Sequence, residues 1–180
     1  ARRAGVDVVY ETEMMNLIQD TTGNVTGAKV RDRDGIHDLY ARRTILACGG
    51  FEANSQMRRE HLGSSWEKAK VRGSKFNTGD GHKAALEIAA KAMGQWSGCH
   101  GTPIDYDAPA TGSLDSVDRL PRRSYPHGIM LNLRGERFVD EGSTYAVNNF
   151  VEIGRKILEQ PGALAFQIFD SKTKHMLEPR

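Results

Sequence analysis

Residues 75–94 read KFNTGDGHKAALEIAAKAMG, an amphipathic helix with an unusual entrance. Gly79 and Gly81 flank a single acid, Asp80, just before an Ala-rich run. One explanation is a helix N-cap, with Asp80 accepting backbone N–H bonds. The other is bare backbone on which a flat ligand lies, facing the free N–H groups and positive dipole end of the helix. Gly79 to Ala84 also spells G-x-G-x-x-A, a dinucleotide fingerprint. That fingerprint needs a buried strand immediately before it, and RGSKFN at 72–77 is polar, so a Rossmann first turn does not fit. The pattern predicts a helix over 81–93, with Ala84, Ala85, Ile88, Ala89, Ala92 and Met93 on one stripe and Gly94 at its end.

Upstream, VDVVYE (6–11) is β-branched and strand-like, VTGAKVRDR (25–33) alternates as a half-buried strand does, and Asp34-Gly35 is a hairpin signal. IHDLYARRTILAC (36–48) continues as strand. Together they predict a β meander that ends in a buried apolar run, Thr44 to Cys48, and two glycines. Residues 52–63 then read as a helix with Asn54 as N-cap and Gly63 as stop. Residues 95–127 are loop-rich and long enough to suggest function. After them come a hairpin at 128–142 turning at Arg134-Gly135, a helix at 145–160, a strand at 163–170 and a short helix in SKTKHML.

The composition bounds the function. The chain has 180 residues, is 38% hydrophobic and 27% charged, and carries a formal net charge of +2. Nothing in that balance argues for nucleic acid. No apolar run reaches the ~20 residues of a membrane span. Cys48 and Cys99 lie far apart without CxxC spacing, which argues against zinc or a redox pair and fits a reducing compartment such as the cytoplasm. No metal site is expected. The opening, ARRAGVDVVYETEM, lacks an initiator Met and reads as a helix end entering a strand, so a piece of a longer protein is expected.

Three further stretches could carry chemistry. In TILACGGFEAN (44–54), a strand ending in Gly49-Gly50 suits either a plain turn or backbone contact with a ligand. In WSGCHGTPID (96–105), His100 sits among small residues, as a solvated loop histidine or as one a substrate can approach. In DRLPRRSYPHG (118–128), Arg119, Arg122 and Arg123 cluster as a solvated basic loop or as forks for carboxylates.

With these stretches in order, the sequence resembles the FAD-dependent fumarate reductase/succinate dehydrogenase flavoprotein superfamily. The resemblance rests on ILACGGFEAN, NTGDGHKAAL, WSGCHGTPID, YPHGIMLNLRGERFVDEG and AFQIFD, in register over most of residues 1–170. Within it, KVRGSKFNTGDG, GQWSGCH and YPHGIMLN are most similar to tricarballylate dehydrogenases. The resemblance implies that Thr78, Gly79 and Asp80 lie at the flavin, that Ala47 and Gly49 approach it, and that His100 hydrogen-bonds a substrate carboxylate. It departs from the fumarate reductases in two places. Leu120 and Pro121 replace a Thr-Glu pair and Ser124 an Arg, so Arg122 and Arg123 would serve instead. Tyr145 stands where those enzymes place a proton-donating Arg. An ordinary tyrosine pKa near ~10 would need lowering for it to act as a base.

The expected fold is therefore mixed α+β. Residues 1–53 form a β meander of an FAD-binding domain, 54–170 an α+β substrate-capping domain, and 171–180 the return to the first domain. The strand and glycine-rich turn that hold the FAD pyrophosphate in the family are absent from the chain, so it alone should bind FAD poorly and be inactive. The expected activity is that of the whole protein. It would oxidise a di- or tricarboxylate to an alkene by hydride transfer to flavin N5, and pass electrons to an unidentified acceptor. The alternatives are a fumarate reductase, a 3-ketosteroid dehydrogenase, or a non-catalytic capping or interaction module.

Overall fold

A computed structural model of the chain describes residues 2–113, 115–143 and 146–178. Helix and strand are mixed, as an α+β fold requires. The chain divides into two compact units, Ala1–Phe51 with Gly79–Met93, and Glu52–Thr78 with Gly94–Arg180.

The first unit is built on an antiparallel sheet in the order β1 (Glu13–Gln19), β2 (Val25–Asp32), β3 (Gly35–Tyr40). Its turns are set by aspartates. Asp20 Oδ1 accepts from Thr22 N, Thr22 Oγ1 and Asn24 N, which holds its carboxyl down to about 2. Asp32 Oδ1 accepts from Asp34 N at the second turn. Cross-strand ion pairs Lys29–Asp38 and Arg31–Glu13 lie on register partners, and Val30 is buried beneath them. Helix α2 (Asp80–Glu87) lies by β1, with Asn16 Nδ2 donating to Glu87 Oε2 at 2.7 Å.

Three expectations fail here. Residues 6–11 and 44–48 form no strand, and their apolar side chains are exposed, Ile45 to 89%. β-branched composition favours a strand only where a neighbour accepts its ladder bonds, and among the described residues neither segment has one. The meander thus has three strands. Helix α2 also stops short of residue 93. Ala89 turns left-handed (φ 63), its N–H bonds Leu86 O, and Ala90 N bonds Ala85 O. This double closure satisfies the last carbonyls and overrides the helical propensity of the alanines.

The second unit begins with α1 (Ser55–Leu62). Asn54 caps it by accepting from Met57 N at 3.0 Å, and Gly63 ends it, as the sequence suggests. A 3-10 turn at Ser64–Lys68 follows. Arg58 ties the two together. It is only 6% exposed, and its guanidinium donates to the carbonyls of Trp66, Glu52, Glu67 and Ala69.

Residues 95–127 contain little regular structure but are not loose. Ile104 and Pro121 form an antiparallel bridge, Asp105 N bonds Leu120 O, and Arg122 N bonds Pro103 O. A short two-stranded ribbon results. Strand β4 (Gly128–Leu131) then pairs with β5 (Phe166–Phe169). The hairpin expected after β4 survives as a single Leu131–Arg137 bridge, where Asn132 Oδ1 accepts from Arg134 N and Glu136 N. Helix α3 (Ala146–Leu158) covers the core of Tyr125, Met130 and Ile153. Two polar groups are built into that core. Tyr125 O–H donates to Asn149 Oδ1 at 2.6 Å, and burial raises the phenol pKa. Glu141, 2% exposed, accepts from Met130 N and Arg137. Burial works to raise its pKa, but these donors outweigh it and hold the carboxyl below its usual range.

Candidate active site

In the first unit the Gly79-Asp80-Gly81 stretch has a structural explanation. Gly79, not Asp80, occupies the N-cap position, in left-handed backbone (φ 85) that suits glycine. Its N–H bonds Gly50 O at 3.1 Å, which joins the helix entrance to the Gly49-Gly50 segment. Asp80 is the first residue of α2 and is exposed. A Cβ on Gly81 would lie 3.1 Å from Cys48 Cβ and 3.2 Å from its Sγ. The bare backbone at 81 is therefore filled by Cys48, and Gly79 is itself buried.

The resemblance implies a flavin at this end of the first unit. Ala47 and Gly49 are exposed, small and outside any helix or strand, and Gly49 is left-handed (φ 77). They are tied to the α2 entrance through the Gly79 N–H to Gly50 O bond, with Asp80 exposed on that helix. Exposed small residues beside a carboxylate do not obstruct a flat ring, so the residues present are compatible with the cofactor. Thr78, in the second unit, is half-buried, and its carbonyl accepts from Asn54 Nδ2 at 2.9 Å.

In the second unit the structure brings His100 and Arg123 together on one aromatic ring. The His100 imidazole meets Phe150 edge to face at 5.0 Å between centroids. The Arg123 guanidinium lies 5.4 Å from the same centroid. Cation–ring contacts of this kind contribute about 0.5–2 kcal/mol, and among the described residues Arg123 Nε has no hydrogen-bond partner. Helix α3 can carry Phe150 this close because glycines meet where it crosses residues 101–102. A Cβ on Gly154 would stand 2.5 Å from Thr102 N, and one on Gly101 3.4 Å from Val151 O.

Arg122 has a different environment. Its Nε and Nη2 reach Asp105 Oδ2 at 2.9 and 2.6 Å, and its Nη1 donates to Arg119 O and Pro121 O. It is thus not gathered with His100 and Arg123. Strand alternation explains the split. Neighbours on the ribbon point to opposite faces, so Arg122 shares a face with Asp105 and Arg123 does not. Tyr145 lies outside the described residues. The sequence does not single out Phe150, which reads as one more apolar position of α3.

His100 and Arg123 thus each contact the same ring, Phe150. Sequence and structure comparisons agree with a flavoprotein setting. Over 150 residues the chain is 33% identical to a 3-oxosteroid 1-dehydrogenase of Mycobacterium tuberculosis, covering 80% of this chain and 25% of that protein. It is 31% identical over 166 residues to a urocanate reductase of Eggerthella lenta, covering 91% of this chain and 26% of that protein. Its fold is similar to the open conformation of a flavocytochrome c3 fumarate reductase, with a TM-score of 0.73 at 24% identity over 97% of this chain and 29% of that one. The chain therefore spans about a quarter of the length of these curated relatives. The family described as FAD binding domain matches residues 1–171, and the chain belongs to it.

Proposed function

We propose that the full-length protein is a cytoplasmic FAD-dependent oxidoreductase that converts a di- or tricarboxylate, of the tricarballylate type, to an alkene. The observation that carries this is the Arg123 guanidinium on Phe150 beside His100, with no carboxylate partner among the described residues. A guanidinium held at an aromatic face, rather than in a protein ion pair, is available to a substrate acid.

FAD, when bound, supplies the acceptor for the hydride that leaves one substrate carbon. Ala47, Gly49, Thr78, Gly79 and Asp80 would hold it. His100 and Arg123 would clamp the carboxylate beside which negative charge develops, stabilising that charge electrostatically. Arg122, paired with Asp105, would fix the ribbon that presents Arg123. Tyr145 would take the proton from the neighbouring carbon. In this scheme residues 1–53 and 171–180 belong to the flavin domain, 54–170 cap the substrate, and a separate acceptor removes the electrons.

A second possibility is oxidation of a 3-ketosteroid, favoured by the 33% identity to a 3-oxosteroid 1-dehydrogenase. Anaerobic absorbance spectra of the full-length protein decide between them. Bleaching of the flavin band by tricarballylate or succinate is expected. Bleaching by a 3-ketosteroid alone would transfer the assignment to steroids. No flavin band at all would remove the proposal.

A further inference from the structure

We propose that Thr102, at the ribbon position opposite Arg123, is a second anchor for the substrate oxygen, its hydroxyl acting together with Arg123 Nε. The inference deepens the carboxylate assignment above and rests on it for the placement of the ligand beside His100.

Two observations meet at this pair. The first is register. The Ile104–Pro121 bridge and the Arg122 N to Pro103 O bond, continued by one residue, set Thr102 opposite Arg123. Opposed residues of an antiparallel pair point to the same face. This is the face that turns away from the Arg122–Asp105 ion pair. The second is hydrogen bonding. Thr102 Oγ1 and Arg123 Nε are both shielded from water, and among the described residues neither has a hydrogen-bond partner. Buried polar groups are nearly always paired, so each exception asks for a cause. Here two exceptions share one face of one ribbon, beside the ring that carries His100.

The backbone of residue 102 lies close against α3, where a Cβ on Gly154 would stand 2.5 Å from Thr102 N. Both residues are only half-buried, so the rest of each side chain reaches the surface beside the unpaired atoms. A hydroxyl donor and a guanidinium N–H on one face of the ribbon suit an oxygen with two lone pairs. A carboxylate oxygen meets that requirement, and so does a ketone oxygen.

The test is equilibrium titration of the FAD-loaded full-length protein, followed by flavin absorbance. The probes are tricarballylate, fumarate and 4-androstene-3,17-dione, with Thr102→Val and Thr102→Ser variants. Valine keeps the shape and removes the hydroxyl, and serine keeps the hydroxyl. We expect Thr102→Val to weaken the acids roughly 10-fold or more and Thr102→Ser to bind within about 3-fold of the unmodified protein. We also expect Thr102→Val to melt no lower than the parent, because it removes an unpaired buried hydroxyl; a merely structural threonine would show the opposite pair of results. If the steroid alone binds and Thr102→Val weakens it, the anchor stands and the carboxylate assignment falls. If the acids bind Thr102→Val as tightly as the parent, the anchor falls and the carboxylate assignment stands. If no probe binds the parent, both fall.

Discussion

Arg58 and Arg123 show two ways a protein can hold a guanidinium away from water. Around Arg58, four backbone carbonyls from residues 52–69 take up its donors, and the side chain is nearly sealed. Burial lowers its pKa, yet every one of these bonds lies within residues 52–69. Around Arg123 the contact is an aromatic ring, and Nε is left unpaired. The first arrangement spends its hydrogen bonds on the fold. The second leaves Nε without a partner among the described residues. Satisfaction of donors, rather than charge, separates the two arginines.

The contrast can be broken at several points. Arg58→Met should be the most disruptive change, since it strands four carbonyls that water reaches poorly. Thermal or urea unfolding should show a loss on the order of 3–5 kcal/mol. Arg58→Lys should recover little of it, because a compact ammonium cannot span four acceptors in a fork. An unchanged midpoint in either variant would remove the structural role.

Glu141 extends the contrast to an anion. Its carboxyl is buried and held by Arg137 and Met130 N–H, with a pKa below its unfolded value. A depressed carboxyl contributes stability above the unfolded pKa and loses it as pH falls through the folded one. The unmodified protein should therefore be more stable than Glu141→Gln at neutral pH, and the gap should close as pH falls through the folded pKa. Parallel acid profiles for the two would contradict the assignment. Arg122→Met should cost less than either, about 1 kcal/mol, since its ion pair with Asp105 is roughly one-third exposed on both sides.

The sequence told much about local structure and little about pairing. The Asn54 cap, the Gly63 stop, the Asp34-Gly35 turn and α3 all follow from residues within a turn of each other, and all are present. Strands at 6–11 and 44–48 were expected from composition, but a strand is a relation between segments, and composition cannot supply the partner. The glycines at 79 and 81 looked equivalent. Only the fold separates them, one serving the backbone angle and the other making room for Cys48. His100 and the arginines were visible as candidates because charge in a loop near small residues is a local signal. That Arg122 and Arg123 face opposite ways, and that Thr102 stands across from one of them, depends on a register between segments some twenty residues apart. The family resemblance supplied the flavin, and the match over residues 1–171 agrees with it.

The most direct measurement compares the neighbouring arginines in one experiment, by titrating FAD-loaded full-length Arg122→Gln and Arg123→Gln with tricarballylate. The account predicts that Arg123→Gln loses roughly 10- to 100-fold in affinity at an unchanged melting temperature, the scale of one hydrogen bond to a charged group. It predicts that Arg122→Gln keeps its affinity within a few-fold and melts lower. Equal affinity losses, or the larger loss at Arg122, would contradict it.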